Sequence, residues 1–288
     1  MNYCYRLLRA AAGAVRVLLP LAALGGVAAC QSSVGEPATG HQAATRPPFS
    51  VALPNSAAAV PPDSLQLTPV LPLPAVPDSV RQAVRALHQQ LGPDAADLRP
   101  EVLERACVGY LALRHAGRIR QPGVLAVADM DLPSSEQRLW VLDLAAGHVL
   151  HRSHVAHGRG SGHLRARRFS NVMKSECTSL GFYRTQDTYG GKHGLSRRLQ
   201  GLDAGQNSNA ASRYVVLHAA DYASPKYIQQ HGHLGYSRGC PALPPEQYKE
   251  IIATVRVGSM LLISGPGLAS RWLDGPAAGR RFLARGWE

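Results

Sequence analysis

The sequence predicts a mainly β domain with a short helical lead-in. Segments 124–128, 138–144 and 149–156 are rich in β-branched and apolar residues. Asp, Pro, Ser or Gly separates them, which is typical of antiparallel strands joined by short connections. Two further segments of this kind, 214–218 and 259–264, follow later in the chain. Because no internal repeat interrupts this pattern, we expect one folded domain after an N-terminal leader.

The first 29 residues have the organisation of an export signal. Arg6, Arg9 and Arg16 form a charged region, and the apolar stretch 17–24 that follows is too short to span a bilayer. Small residues then precede Cys30. The pattern predicts a signal peptide over 1–29 that is removed during export.

The end of this segment, Val27-Ala28-Ala29-Cys30, resembles a bacterial lipobox. The resemblance implies that Cys30 is acylated and becomes the first residue of the mature chain, and Gln31 is similar to the residue found there in outer-membrane lipoproteins. We therefore expect a lipoprotein on the periplasmic face of the outer membrane, held by acyl chains without a spanning helix. Ordinary secretion with Cys30 as a bystander is the alternative.

Residues 30–77 are predicted to be a tether, because they contain Pro-rich runs and no sustained hydrophobic period. The whole chain has 31 Lys and Arg against 19 Asp and Glu. Removal of the signal peptide takes three arginines and no acids, so the mature charge is 28 minus 19, or +9. This excess favours anionic partners such as a cell-wall polymer or phospholipid head groups. The sequence has no basic motif interleaved with aromatic residues, which argues against nucleic acid.

Residues 78–120 are predicted to form the helical lead-in. Asp78 can cap a first helix that ends at Gly92-Pro93, and a second helix is expected to begin at Pro100 and stop at Gly117. The apolar positions of both helices recur at helical spacing. They are Val80, Val84, Leu87 and Leu91 in the first helix, and Val102, Leu103, Ala106, Tyr110 and Leu113 in the second.

The β domain is predicted over 121–265, followed by a tail over 266–288 that is rich in Gly, Pro and Arg and wraps the surface. Residues 157–212 are glycine-rich and polar with little periodicity, which predicts a long loop region, and loops of this length in a compact domain are usually functional. A helix is expected over 244–255 because the segment starts at prolines.

Three cysteines remain once Cys4 is lost with the signal and Cys30 is acylated. Cys107 and Cys177 are a candidate bridge, because paired thiols tend to be joined in an oxidising compartment. Two small buried apolar side chains would explain them equally well. Cys240 is then the candidate reactive thiol.

Cys240 lies in a segment that suits a nucleophile. It ends the turn Ser237-Arg238-Gly239-Cys240, and a strand-like run ending in His218 lies upstream. A thiol needs a base at neutral pH, which an imidazole supplies. The N–H groups of the last two turn residues are placed to face an oxyanion, and both Arg238 and a helix beginning near Pro244 would favour the thiolate. The pattern indicates a cysteine-dependent acyl-transfer enzyme.

At these residues the sequence resembles the murein L,D-transpeptidases, whose signature is a strand histidine followed by Ser/Thr-His-Gly-Cys. The likeness runs over about 103–265, and segments 155–158, 179–183, 189–194 and 215–219 look like a variant branch of the family. The resemblance implies an L,D-transpeptidase-like β-sandwich or barrel. It also implies that Cys240 is the nucleophile, His218 the general base and Gly239 part of the oxyanion hole, with the Ala219 carbonyl orienting the imidazole.

Two features depart from the family pattern. Arg238 stands where the common motif has histidine, and eighteen residues separate His218 from Ser237. A guanidinium at that position would bind a substrate carboxylate bidentately. We expect substrate contacts from Ser237, Arg238, His157, Lys192 and His193, with a structural role as the alternative for His157.

The implied reaction is attack by the Cys240 thiolate on the amide between meso-diaminopimelate and the terminal D-Ala of a peptidoglycan stem. A thioester forms and the amine of a second stem resolves it, which needs neither cofactor nor metal. Water as acceptor gives an L,D-carboxypeptidase, and a noncatalytic wall-binding lipoprotein is a further alternative. His151, His154 and His157 alternate faces on a strand, which argues against a shared metal ion.

Overall fold

A computed structural model describes residues 67–70, 72–73 and 75–288 of the chain. These residues belong to one unit, Ala57–Glu288. The expected signal peptide, Cys30 and most of the expected tether lie outside the described residues. Within the described part of the chain, no helix combines the length and the apolar character needed to cross a bilayer.

Two helices precede the sheet, as the periodicity predicts. α1 spans Asp78–Leu91 and α2 spans Pro100–His115, and both bury the expected apolar residues. The Asp78 side chain makes no capping hydrogen bond, because it occupies the first helical turn rather than the position before it. α2 packs closely on the sheet at Gly109, where a Cβ atom would lie only 2.0 Å from the Phe182 ring.

Eight strands form one sheet in the described chain, in the order β3-β2-β1-β8-β4-β5-β6-β7. β1 with β8 and β6 with β7 are parallel, and the other neighbours are antiparallel. The strands are β1 Val124–Asp129, β2 Leu139–Asp143, β3 His148–Ser153, β4 Gly181–Gly191, β5 Gly194–Gly201, β6 Val216–Ala219, β7 Ala242–Leu243 and β8 Met260–Ser264.

The two edges of this sheet meet. Beyond the end of β3, Ala156 forms an isolated bridge with Ala242 of β7, and Gly158 forms another with Ser237. These bridges make the sheet a nearly closed barrel. The mainly β fold class expected from the sequence is confirmed. The closure also fixes the segment that precedes β7, which carries Cys240.

The prediction of a long loop region over 157–212 is wrong in part. β4 and β5 form an antiparallel hairpin there, and Lys192 and His193 are its turn. The hairpin has glycines and charged residues, and its tip is largely exposed, so no run of apolar residues marks it in the sequence. The hairpin carries its turn residues to the candidate site.

The C-terminal segment contains a helix where the sequence predicted only a wrapping tail. α5 spans Gly275–Arg285 and packs against α2. The Asp274 carboxylate caps it by accepting the N–H of Ala277 at 2.9 Å. Two shorter helices are α3, Pro225–His231, and α4, Tyr248–Thr254, which begins later than the expected start at Pro244.

The last residues before α1 pack on the domain rather than hanging free. Leu73 and Val76 are buried. Thr68 donates its backbone N–H to Asp131 at 2.6 Å, and the same fully buried carboxylate forms ion pairs with Arg99 and Arg167. Residues before Asp78 therefore form part of the packed domain.

Candidate active site

Hydrogen bonds of Ser237 fix the turn that presents Cys240, both to the neighbouring segment and within the turn itself. The Ser237 N–H donates to the His157 carbonyl at 3.0 Å, and its hydroxyl donates to the Cys240 carbonyl at 2.6 Å. The hydroxyl also accepts the Gly239 N–H at 3.0 Å. Ser237 is thus a brace of the turn, because its side chain bonds within the turn and is buried.

Gly239 is required by this turn for two reasons. Its φ is +118°, which side chains of L residues rarely adopt. A Cβ atom would also lie 2.6 Å from the Cys177 carbonyl oxygen and 3.0 Å from Arg213 Nη2. The glycine lets the turn press against both groups.

The Cys240 thiol faces the start of β6. Sγ accepts the Val216 N–H at 3.5 Å and donates to the Tyr214 carbonyl at 3.6 Å. Burial raises the pKa of Cys240, while the Val216 N–H and the charge of Arg213 oppose that rise. Burial is the largest of these effects, so Cys240 rests as the protonated thiol at neutral pH.

His218 sits on β6 with its ring oriented by the next residue. Nδ1 donates to the Ala219 carbonyl at 2.8 Å, which leaves Nε2 unprotonated in the neutral ring because a carbonyl can only accept. Burial lowers the pKa of His218, the Ala219 carbonyl opposes this, and the charges of His193 and Lys192 lower it further. The ring is therefore neutral at pH 7 and able to accept a proton.

Cys240 and His218 line one cavity of about 600 Å³. The parallel pairing of β6 with β7 sets His218 opposite Ala242, two residues after the cysteine. Among the described residues no hydrogen bond joins the thiol to the imidazole, because Sγ is directed to Tyr214. Thiol and base contacts in an unliganded site commonly tighten only with substrate bound.

The cavity is basic and aromatic. The other expected residues that line it are Ser237, Arg238, Lys192 and His193, and the His193 ring lies 4.6 Å from the His218 ring between centroids. Within the described chain no Asp or Glu side chain lines it. The cavity is also lined by residues that were not among the expected contacts, namely Arg159, Tyr189, Gly191, Ser196, Arg213, Tyr214, Val216, Tyr222 and Tyr236. Tyr189, Gly191 and Val216 lie in the segments that resemble the family, and the others had no signal of their own in the sequence.

His157 is a correction to the expected substrate contacts. It is fully buried and does not line the cavity. Its Nδ1 accepts from Arg138 at 2.7 Å, and its Nε2 donates to the Gly162 carbonyl at 3.3 Å. Burial lowers the pKa of His157 to about 3, and the neighbouring charge of Arg138 adds to this. His157 is a neutral core residue.

The expected sources of thiolate stabilisation are also corrected. The Arg238 side chain is 89% exposed and pairs with Glu176 at 3.4 Å, so its charge is directed to solvent. α4 begins only at Tyr248, four residues later than the expected start at Pro244, and has seven residues. The Gly239 N–H is taken by Ser237, whereas among the described residues the Cys240 N–H has no acceptor. Cys240 is therefore the better oxyanion donor of the two.

The other histidines and cysteines considered from the sequence, His151, His154, Cys107 and Cys177, do not line the cavity. His151 Nε2 lies 2.7 Å from the Thr254 hydroxyl, and His154 Nε2 lies 3.1 Å from the Ser135 carbonyl. The described part of the chain contains no cluster of three or more His, Cys, Asp or Glu side chains able to hold a metal ion. Cys107 and Cys177 are buried free thiols, so the candidate bridge between them is not formed.

A second cavity, of about 640 Å³, lies elsewhere on the domain. Arg114, Asp143, Arg281 and Arg285 are among its lining residues. The described residues that line it include no Cys, Ser or His. We therefore place the candidate chemistry in the cavity that contains Cys240.

Solved structures similar to this chain include several L,D-transpeptidases. One from Mycobacterium smegmatis is 18% identical with a TM-score of 0.31, covering 50% of this chain and 59% of its own. L,D-transpeptidase 3 from Mycobacterium tuberculosis is 14% identical with a TM-score of 0.33, covering 50% and 61%. One from Enterococcus faecium is 15% identical with a TM-score of 0.30, covering 51% of each chain. The matched region thus spans less than two thirds of each of these proteins.

The family assignment comes from the sequence. No curated protein matches the chain. Residues 94–264, more than half of the chain, match the sequence pattern of the L,D-transpeptidase catalytic domain. This range includes α2, the whole sheet and the turn with Cys240. The chain therefore belongs to the L,D-transpeptidase catalytic domain family.

Proposed function

We propose that the protein is a peptidoglycan L,D-transpeptidase that works through a thioester on Cys240. The observation that carries this proposal is the shared cavity of Cys240 and His218 in a chain of the L,D-transpeptidase family. The neutral imidazole and protonated thiol are matched, because one can receive the proton that the other must lose.

In the first half-reaction, Sγ attacks the carbonyl of the amide between meso-diaminopimelate and D-Ala. His218 Nε2 takes the thiol proton, the resulting thiolate forms the new C–S bond, and the Cys240 N–H donates to the developing oxyanion. The imidazolium then gives its proton to the leaving amine. The C–N bond breaks, D-Ala departs and a thioester remains on Cys240.

In the second half-reaction, an acceptor amine from another stem attacks the thioester carbonyl. His218 removes the amine proton and returns it to sulfur as the C–S bond breaks. A new amide cross-link forms and the thiol is restored. If water is the acceptor, the same steps release a trimmed stem, which is the L,D-carboxypeptidase alternative.

The charge of the cavity supports a substrate with carboxylates. Arg159, Lys192 and Arg238 line it, and within the described chain no acidic side chain does so. Stem peptides carry free carboxylates, so their binding would be favoured electrostatically. Arg238 can leave its ion pair with Glu176 to bind a carboxylate bidentately.

We further propose the chain organisation and location that the N-terminal sequence indicates. A signal peptide over 1–29 would be removed, Cys30 acylated, and the domain held at the periplasmic face of the outer membrane by a tether. Metabolic labelling with an alkyne fatty acid should tag the wild type but not Cys30→Ala. A tag that survives in Cys30→Ala would contradict this assignment.

The nucleophile is tested by intact-mass analysis after incubation with a carbapenem, whose strained amide acylates cysteine nucleophiles. The wild type should gain the mass of one carbapenem, and Cys240→Ala should gain none. Cys177→Ala is the matched control, because it removes another thiol and should still be acylated. An adduct that persists in Cys240→Ala would exclude Cys240.

The reaction is tested with purified muropeptides and the same variants. Accumulation of cross-linked dimers supports the transpeptidase, and accumulation of tripeptides supports the carboxypeptidase. Binding to peptidoglycan with neither product nor carbapenem adduct would indicate the noncatalytic wall-binding lipoprotein.

A further inference from the structure

The guanidinium of Arg213 is fixed by four hydrogen bonds from its two terminal nitrogens. Nη1 donates to the Ser170 carbonyl at 2.7 Å and to the Ser179 hydroxyl. Nη2 donates to the Cys177 carbonyl at 2.6 Å and to the Ser175 hydroxyl at 3.3 Å. Because all four acceptors lie within 170–179, the guanidinium holds this segment against the start of β6.

The same guanidinium touches the nucleophile turn. Its Nη2 lies 3.0 Å from the position that a Cβ atom would take on Gly239, the residue before Cys240. The Cys177 carbonyl to which it donates also contacts this glycine position, at 2.6 Å. Arg213 also directly precedes Tyr214, whose carbonyl accepts from the thiol. Arg213 therefore contacts the nucleophile turn and adjoins the residue whose carbonyl accepts from the thiol.

Among the described residues no acceptor of Arg213 is a carboxylate, so no direct ion pair there cancels its positive charge. Arg238, by contrast, pairs with Glu176 and is 89% exposed. Burial opposes ionisation of Cys240, and the charge of Arg213 acts in the other direction. The Arg213 guanidinium is thus fixed beside the nucleophile turn, whereas the Arg238 guanidinium lies in solvent.

We propose that Arg213 is a positioning residue that stabilises the Cys240 thiolate as it forms and holds segment 170–179 against the nucleophile turn. This inference rests on the proposed function. As His218 takes the thiol proton, negative charge appears on sulfur, and a cation that is already in place needs no reorganisation to stabilise it. The charge then passes to the oxyanion when the C–S bond forms.

The test is the pH dependence of Cys240 alkylation by iodoacetamide in the full chain, measured on the Cys240 peptide by mass spectrometry. In Arg213→Gln we expect labelling at pH 7 to fall about tenfold and the profile to move to higher pH, as for loss of a neighbouring opposite charge. Arg213→Lys retains the charge but not the four hydrogen bonds, so its profile should stay close to the wild type. Arg159→Gln, which neutralises another cavity cation, should move the profile less than Arg213→Gln.

Thermal unfolding of each variant separates the electrostatic role from folding. If Arg213→Gln does not fold, Arg213→Met, which also removes the charge, takes its place: an upward shift beside a near-wild-type Arg213→Lys profile supports the role of charge, and coincident profiles of all three proteins overturn it. An unchanged profile in folded Arg213→Gln also overturns the proposal. If the wild type forms no carbapenem adduct but the alkylation profile still shifts in Arg213→Gln, the proposed function is refuted while the coupling between Arg213 and Cys240 is supported.

Discussion

The substitution Gly239→Ala should destabilise the fold and disable the nucleophile together. At φ +118° an L residue is strained, and such a conformation costs about 1–3 kcal/mol. The added methyl would also lie 2.6 Å from the Cys177 carbonyl oxygen, a backbone atom that cannot rotate away. Combining strain with this overpacking, we expect the free energy of unfolding to fall by about 3–4 kcal/mol.

Gly232→Ala is the matched control for this experiment. Gly232 ends α3 with φ +76°, and a Cβ atom there would meet nothing within 4 Å. It carries the backbone cost alone, about 1 kcal/mol. The difference between the two variants therefore reports the crowding at the nucleophile turn together with the additional backbone strain at φ +118°.

Urea denaturation followed by circular dichroism measures both losses, provided that the slope with denaturant is unchanged. Carbapenem adduct formation by Gly239→Ala should slow by about a hundredfold, because a displacement of about 1 Å at reacting atoms has effects of that size. Gly232→Ala should be acylated at the wild-type rate. Equal destabilisation of the two variants, or rapid acylation of Gly239→Ala, would refute the reasoning.

Two further outcomes follow from buried charge. Asp131→Asn leaves Arg99 and Arg167 without their shared buried carboxylate and should lower the free energy of unfolding by about 3 kcal/mol. Asp187→Asn breaks an exposed pair and should lower it by less than about 1 kcal/mol. Similar losses for the two variants in urea denaturation would contradict this. The pKa of His157 is lowered to about 3, so its contribution to stability is present above its unfolded pKa and is lost as pH falls below about 6.5 toward 3. Between pH 7 and 4.5 we expect this to remove about 2–3 kcal/mol in the wild type and not in His157→Gln, and parallel losses in both proteins would exclude His157 as the source.

The elements that the sequence predicted are those with a strong local period. α1 and α2 repeat apolar residues at helical spacing, and β1, β2 and β8 are runs of apolar residues that the barrel buries. The β4–β5 hairpin lacked such a signal because its outer half is solvated. Its strands are defined instead by pairing with β8 and β6, which are distant in the chain. α5 was missed because it follows a Gly- and Pro-rich stretch, although Asp274 marks its start.

For the candidate site, the sequence alone determined the chemical residue types. A cysteine after glycine and an upstream strand histidine are local patterns, and they selected Cys240 and His218. Only the tertiary structure decided which charges act on them. It buried His157 against Arg138, turned Arg238 to solvent and brought Arg213 to the nucleophile turn. These outcomes depend on barrel closure and on contacts between segments far apart in the chain, and no local spacing encodes the distance between such segments.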